Sequence, residues 1–127
     1  MTKLSLSLLP GEFAIAKFDK DSQWLGMEWG DFFSITHTPD EISIVASQNL
    51  IPEGAPCEKG WRCLKVNGPL DFSLTGVLSS LANPLAQAGI SIFALSTYET
   101  DYLLVRQSDL EKALQILRQE GFEVRGY

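Results

Sequence analysis

The side chains best placed for chemistry in this chain gather in two short polar loops, not around a nucleophile or a metal. The first loop, Gly68 to Thr75, leads into a helix start. Main-chain amides there lack intrahelical partners, carry partial positive charge and suit a carboxylate. The Thr75 hydroxyl can add a bond of its own. The second loop, in Ser96-Thr-Tyr-Glu-Thr-Asp-Tyr102, sets Thr97, Thr100 and Asp101 within one turn. Asp101 can pair with an ammonium or a guanidinium group, and more strongly if partly desolvated. Taken together, the loops have the polarity of a seat for a small zwitterion. Each also has a plainer reading, the first as an ordinary capped loop and the second as a hairpin turn. Ser91 and Ile92 open the strand beside them, and at a sheet edge their main-chain groups can bond a ligand or a second chain.

Other chemistries lack their parts. His37 is the only histidine, and spacing fixes no acid or nucleophile next to it. No phosphate-binding loop, dinucleotide fingerprint or zinc pattern occurs, so no catalytic residue, metal or cofactor is expected. Cys57 and Cys63 have no second pair and no Cys-x-x-Cys spacing, which points to reduced thiols. A net charge of −6 argues against nucleic acid, whose surface needs clustered Lys and Arg. The Leu4–Leu9 run is interrupted by Ser5 and Ser7, a strand pattern, and nothing approaches the roughly 18 apolar residues of a spanning helix. A cytoplasmic location without membrane contact is therefore expected.

Elements that must hold those loops can be read from apolar spacing. With 127 residues and 45% apolar content, the chain suffices for one ordinary domain or two very small ones. Leu4–Leu8 and Phe13–Phe18 read as strands joined at Pro10-Gly11, so the first 18 residues read as a hairpin. Asp19–Asp31 has partial helical spacing broken by Gly26 and Gly30 and is read as a short helical turn at most. Strands follow at 32–37 and 42–46. The Pro- and Gly-rich stretch Leu50–Gly60 marks a break near residue 58, giving units 1–58 and 59–127. In the second, a strand at 61–66 turns at Asn67-Gly-Pro69. A helix over 73–88 is expected, capped by Asp71 or Ser73, kinked ahead of Pro84 and stopped at Gly89. Strands at 90–96 and 102–106 flank the polar turn. The spacing Ser108-x-x-Glu111 forms a capping box for a last helix with Leu110, Ala113, Leu114 and Leu117 inside, ahead of a strand at 122–124. That order, β-α-β-β-α-β, is ferredoxin-like. An RNA-recognition domain shares it but needs basic residues and exposed aromatics where Tyr102-Leu-Leu-Val-Arg106 is mostly apolar.

Three segments carry a more particular likeness. They are Phe32-Phe-Ser-Ile-Thr-His-Thr-Pro-Asp-Glu-Ile-Ser-Ile-Val45, Gly68-Pro-Leu-Asp-Phe72 and Ile90-Ser-Ile-Phe-Ala-Leu-Ser-Thr-Tyr-Glu-Thr-Asp-Tyr-Leu-Leu-Val105. In them, and over nearly its whole length, the chain resembles tandem ACT-domain proteins of the kind found in CASTOR-like arginine sensors and short bacterial relatives. The resemblance implies an α/β (α+β) fold of two ferredoxin-like ACT units packed side by side, the first degenerate. It also implies a regulatory, allosteric protein and not an enzyme. Such sensors hold arginine between two of four units, so a two-unit chain would rebuild the arrangement as a homodimer. By position, Ser91 and Ile92 of one chain would meet the ligand's main-chain end. Asp71, Thr75, Thr97, Tyr98, Thr100 and Asp101 of the other would close the pocket, with Asp101 matching the acid that receives a cationic end. Leu74 stands where the arginine sensors have a further glutamate, which opens the seat to smaller or more apolar amino acids. A regulated protein, unidentified, would read occupancy. The family also includes members without a ligand, so a purely structural dimerisation module is the alternative.

Overall fold

The computed structural model describes residues 4–23, 28–68 and 76–126. The chain separates into two compact units, residues 11–61 and residues 1–10 together with 62–127. The smaller unit contains β2 (Phe13–Phe18), β3 (Ser34–His37), β4 (Ile42–Ser47) and the first half of β5 (Cys57–Val66). The larger contains β1 (Ser5–Leu8), the second half of β5, α1 (Val77–Gln87), β6 (Ile92–Ser96), β7 (Asp101–Arg106), α2 (Leu110–Gln119) and β8 (Glu123–Arg125). The partition therefore falls inside β5, after Trp61.

In the smaller unit the strand order is β3-β4-β2-β5. Alternation along β4 sends Ile42, Ile44 and Ala46 into a core with Trp29, against which Phe18, Ile35 and Ile51 pack. The Trp29 ring meets Phe18 edge-on at 6.1 Å. The described parts of 19–31 contain no helix; residues 24–27, on which most of the expected helical spacing falls, lie outside the described residues.

In the larger unit the order is β6-β7-β5-β1-β8. Both helices contribute to one core, Leu81 and Leu85 from α1 and Leu110, Ala113, Leu114 and Leu117 from α2. Strands supply Leu6, Leu8, Leu64, Val66, Leu103 and Val105. Each fully buried Leu contributes about 1.5–3 kcal/mol. Numbered within its own unit, each set of four strands has the ferredoxin order 2-3-1-4, and in the larger unit β1 is inserted between strands 1 and 4. The α/β class and the β-α-β-β-α-β reading of the second half hold.

Several local expectations differ from the structure. β1 forms no hairpin with β2. It pairs antiparallel with β5 (Leu6 opposite Val66) and parallel with β8 (Leu6 opposite Val124). Leu6 and Leu8 are buried there in the core of the larger unit. β5 starts at Cys57, inside the stretch expected to be loop. Gly60, at φ +82°, lets the strand bend where its pairing with β2 shifts register, a conformation glycine adopts without steric cost. α1 begins at Val77 after a left-handed Gly76, and of the kink or local break expected near Ser80–Asn83 the break does not occur, since the helix runs on through Pro84. α2 is entered through a tight turn at Gln107–Asp109, with Asp109 at the cap and no side-chain capping bond, so the Ser108 capping box does not form. The glycine stop of α1 is as read: Gly89 is left-handed, and the amide of Ile90 donates to the Leu85 carbonyl at 3.0 Å.

Candidate ligand-binding site

The hairpin β6–β7 is built by local chemistry. Ile92 to Ser96 pair in register with Val105 to Asp101, leaving Thr97–Thr100 as the turn. The Thr97 amide donates to the Thr100 carbonyl at 2.8 Å, and the Thr97 hydroxyl donates to the same carbonyl at 3.1 Å. The Thr100 amide in turn donates to the Thr97 hydroxyl oxygen at 3.3 Å. Threonine at the head of a turn satisfies main-chain groups in this way. Asp101, half-buried at the first position of β7, accepts the Ser96 hydroxyl at 2.7 Å through Oδ1. Ser96 lies directly opposite it. The bond orients the carboxylate while leaving it accessible to a cationic group.

Thr100 is different. It is 5% exposed, the one buried polar side chain among the described residues. Its hydroxyl donates to the carbonyl of Val66, the last residue of β5, at 2.6 Å. At the other end of the same two strands, Arg62 donates to Gln107 at 3.0 Å. These two bonds show that β5 and β7 run antiparallel, so the turn at 97–100 and the last residues of β5 share one end of the unit. This is the end the sequence assigns to both polar loops. Tyr98 projects at the tip, 81% exposed.

Ser91 and Ile92 lie elsewhere. Ser91 is exposed immediately after the α1 stop, and Ile92 pairs with Val105. They are at the far end of a five-residue strand, roughly 16 Å from the turn at about 3.3 Å per residue. Within one chain, then, Thr97, Tyr98, Thr100 and Asp101 come together, and Ser91 and Ile92 do not join them. Asp71 and Thr75 lie outside the described residues. Among the described strands β6 pairs only with β7, which makes it an edge.

Two features of this unit have no signal in the local sequence. Asn67, just past β5, receives the Ser7 hydroxyl on Oδ1 at 2.9 Å and donates through Nδ2 to the Ser5 hydroxyl at 3.0 Å. Its amide also donates to the Ser5 carbonyl at 3.0 Å. The partner residues are some sixty positions away, so only the long-range pairing of β1 with β5 brings them there. The second feature is Cys63, fully buried, whose thiol is pushed up to about 12 by desolvation and stays protonated. Among the described residues no cluster of His, Cys, Asp or Glu has metal-binding geometry, and no helix is long and apolar enough to cross a membrane.

Comparison with known proteins agrees with this architecture. An ACT-domain family model matches residues 57–119, and a second model, for an N-terminal domain, matches residues 11–54. The chain belongs to the ACT-domain family. Bovine (Bos taurus) cytosolic arginine sensor for mTORC1 subunit 1 is 32% identical over 100 residues, 70% of this ACT chain and 30% of the sensor. A solved Agrobacterium tumefaciens protein is 37% identical with a TM-score of 0.92, covering 100% of this chain and 96% of that one. The regulatory subunit of aspartate kinase from Thermus thermophilus shares the fold, with a TM-score of 0.66 at 12% identity over 94% of this chain and 99% of that one. This ACT chain thus spans 30% of the length of the arginine sensor it matches.

Proposed function

We propose that this ACT protein binds a free amino acid at a homodimer interface and passes occupancy to a regulated protein. The observation that carries the reading is the split of the candidate residues. Thr97, Tyr98, Thr100 and Asp101 stand at one end of edge strand β6, and Ser91 and Ile92 stand at the other. If two copies join antiparallel along β6, the start of the strand in each chain meets the turn of its partner, and two equivalent seats form. In each seat the main-chain groups of Ser91 and Ile92 receive the ligand's own main-chain end. The partner's Asp101 receives an ammonium or guanidinium, with Tyr98 across the mouth. Asp71 and Thr75 belong to the same wall by resemblance. The larger unit carries the seat, and the smaller unit is the degenerate member. The arginine-sensor relatives place arginine among the first ligands to try.

The experiment is a thermal-shift panel of the twenty free amino acids, run with a measurement of mass in solution. A ligand at a hundredfold excess over its Kd stabilises the folded dimer by about 2.7 kcal/mol. A dimer that responds to one or a few amino acids is expected. A dimer silent to all twenty supports a structural dimerisation module instead, and a monomer removes the shared seat altogether.

A further inference from the structure

We infer that Thr100 and Asn67 are positioning residues that fix the turn before Asp101 to the anchored end of β5 without touching the ligand. This rests on the proposed seat and assigns its internal support. The Thr100 hydroxyl is buried and aimed at the Val66 carbonyl, so it is engaged inside the protein and turned away from any guest. A guest that took the hydroxyl's proton would leave that buried carbonyl without this donor, and the buried side chain gives a cationic guest no open approach to its oxygen. The residue therefore acts as a strut between the β6–β7 turn and the last residue of β5.

Asn67 is the next residue, and it is bound in the opposite direction. Its side chain bridges Ser5 and Ser7 of β1, and its amide reaches the Ser5 carbonyl. Val66 and Asn67 thus form one fixed point, held by the turn from one side and by β1 from the other. Gly68 follows that point directly. Asp101 follows Thr100 directly, so the height of the acid above the sheet is set by the strut. Without it the turn keeps its own hydrogen bonds, since those of Thr97 and Thr100 main chain are local. What is lost is its registration against the end of β5, a loss that lowers stability and also weakens any binding that depends on that registration.

The test uses the full chain and Thr100→Val, which keeps the side-chain shape and removes the donor, with Thr100→Ser restoring it. Kd is measured for whichever of the twenty free amino acids stabilises the wild type most, and Tm and dimer mass are recorded in parallel. The expected result is a lowered Tm, because the bond exists without ligand, together with a Kd raised about tenfold or more in Thr100→Val, and a Kd recovered to within roughly threefold in Thr100→Ser. An unchanged Kd in Thr100→Val overturns the strut while leaving the seat. A wild type silent to all twenty amino acids overturns both. If Thr100→Val does not fold, Asn67→Ala takes its place, and it too must raise the Kd with the dimer intact; an unchanged Kd there ends the proposal.

Discussion

Among the described residues, the hairpins β3–β4 and β6–β7 close with the same turn and differ in what stands just after it. In β3–β4, His37 pairs with Ile42 and the turn is Thr38–Glu41. In β6–β7, Ser96 pairs with Asp101 and the turn is Thr97–Thr100. The leading threonine amide donates to the fourth carbonyl at 2.9 Å in the first and 2.8 Å in the second. Each threonine hydroxyl repeats the bond, at 3.3 Å and 3.1 Å. After the turn the likeness ends. Ile42 is 1% exposed and packs with Trp29 and Ile44, whereas Asp101 is half-buried and oriented by Ser96. Position four holds Glu41 in the first hairpin and the buried strut Thr100 in the second. An open groove of about 440 Å³ flanks the first turn, lined by Lys20, Asp21, His37, Thr38 and Pro39, but no acid stands at the Asp101 position there. The turn by itself is therefore scaffolding. The proposed seat rests on the charge that follows the turn and on the strut that holds it.

Exchange of that one position breaks the comparison most sharply. Ile42→Asp puts a carboxylate into the Trp29 core with no partner and should cost about 3 kcal/mol or more, roughly 10 °C in Tm. A Tm within 2 °C or so of wild type would show that the core admits water there. The reverse exchange, Asp101→Ile, should leave Tm within a few degrees, because the acid is half-exposed, as for most surface changes. With Asp101→Ala, the thermal shift given by a basic amino acid should vanish while the dimer persists. A full response in either variant takes Asp101 out of the seat. Next in size, Thr38→Val and Thr97→Val each lose the hydroxyl bonds of their turn and should cost about 1 kcal/mol apiece by chemical denaturation. Equal costs support a shared scaffold, and a markedly larger one at Thr97 would mean the second turn is built differently. The smallest effect expected is at the thiols. Native alkylation followed by mass spectrometry should modify half-buried Cys57 ahead of Cys63, which is buried and whose raised pKa keeps it protonated at neutral pH. Faster reaction at Cys63 would show that its part of β5 opens readily.

Legibility followed the range of the interactions involved. The β6–β7 turn is readable because its bonds join residues three apart, and the inner face of α2 is readable because Leu110, Ala113, Leu114 and Leu117 recur at helical spacing. The alternation in Ser5–Leu8 foretells a strand and its buried face, but not its neighbours. Period-two patterning carries no information on which distant strand will pair, and so the adjacent β2 was the natural expectation. Gly60 reads as a loop residue until its partner strand is seen. The struts at Thr100 and Asn67 join residues 34 and about 60 positions apart, beyond any local signal.

By its own pattern, this sequence determined most element types, the apolar faces and the polar turn that precedes Asp101, because each depends on residues within a few positions of one another. Only the tertiary structure decided that the N-terminal strand is inserted between β5 and β8, that Thr100 turns inward, and that the two groups of candidate residues occupy opposite ends of one edge strand. Those outcomes depend on which distant surfaces bury each other best, a choice made by packing in three dimensions and not by spacing along the chain.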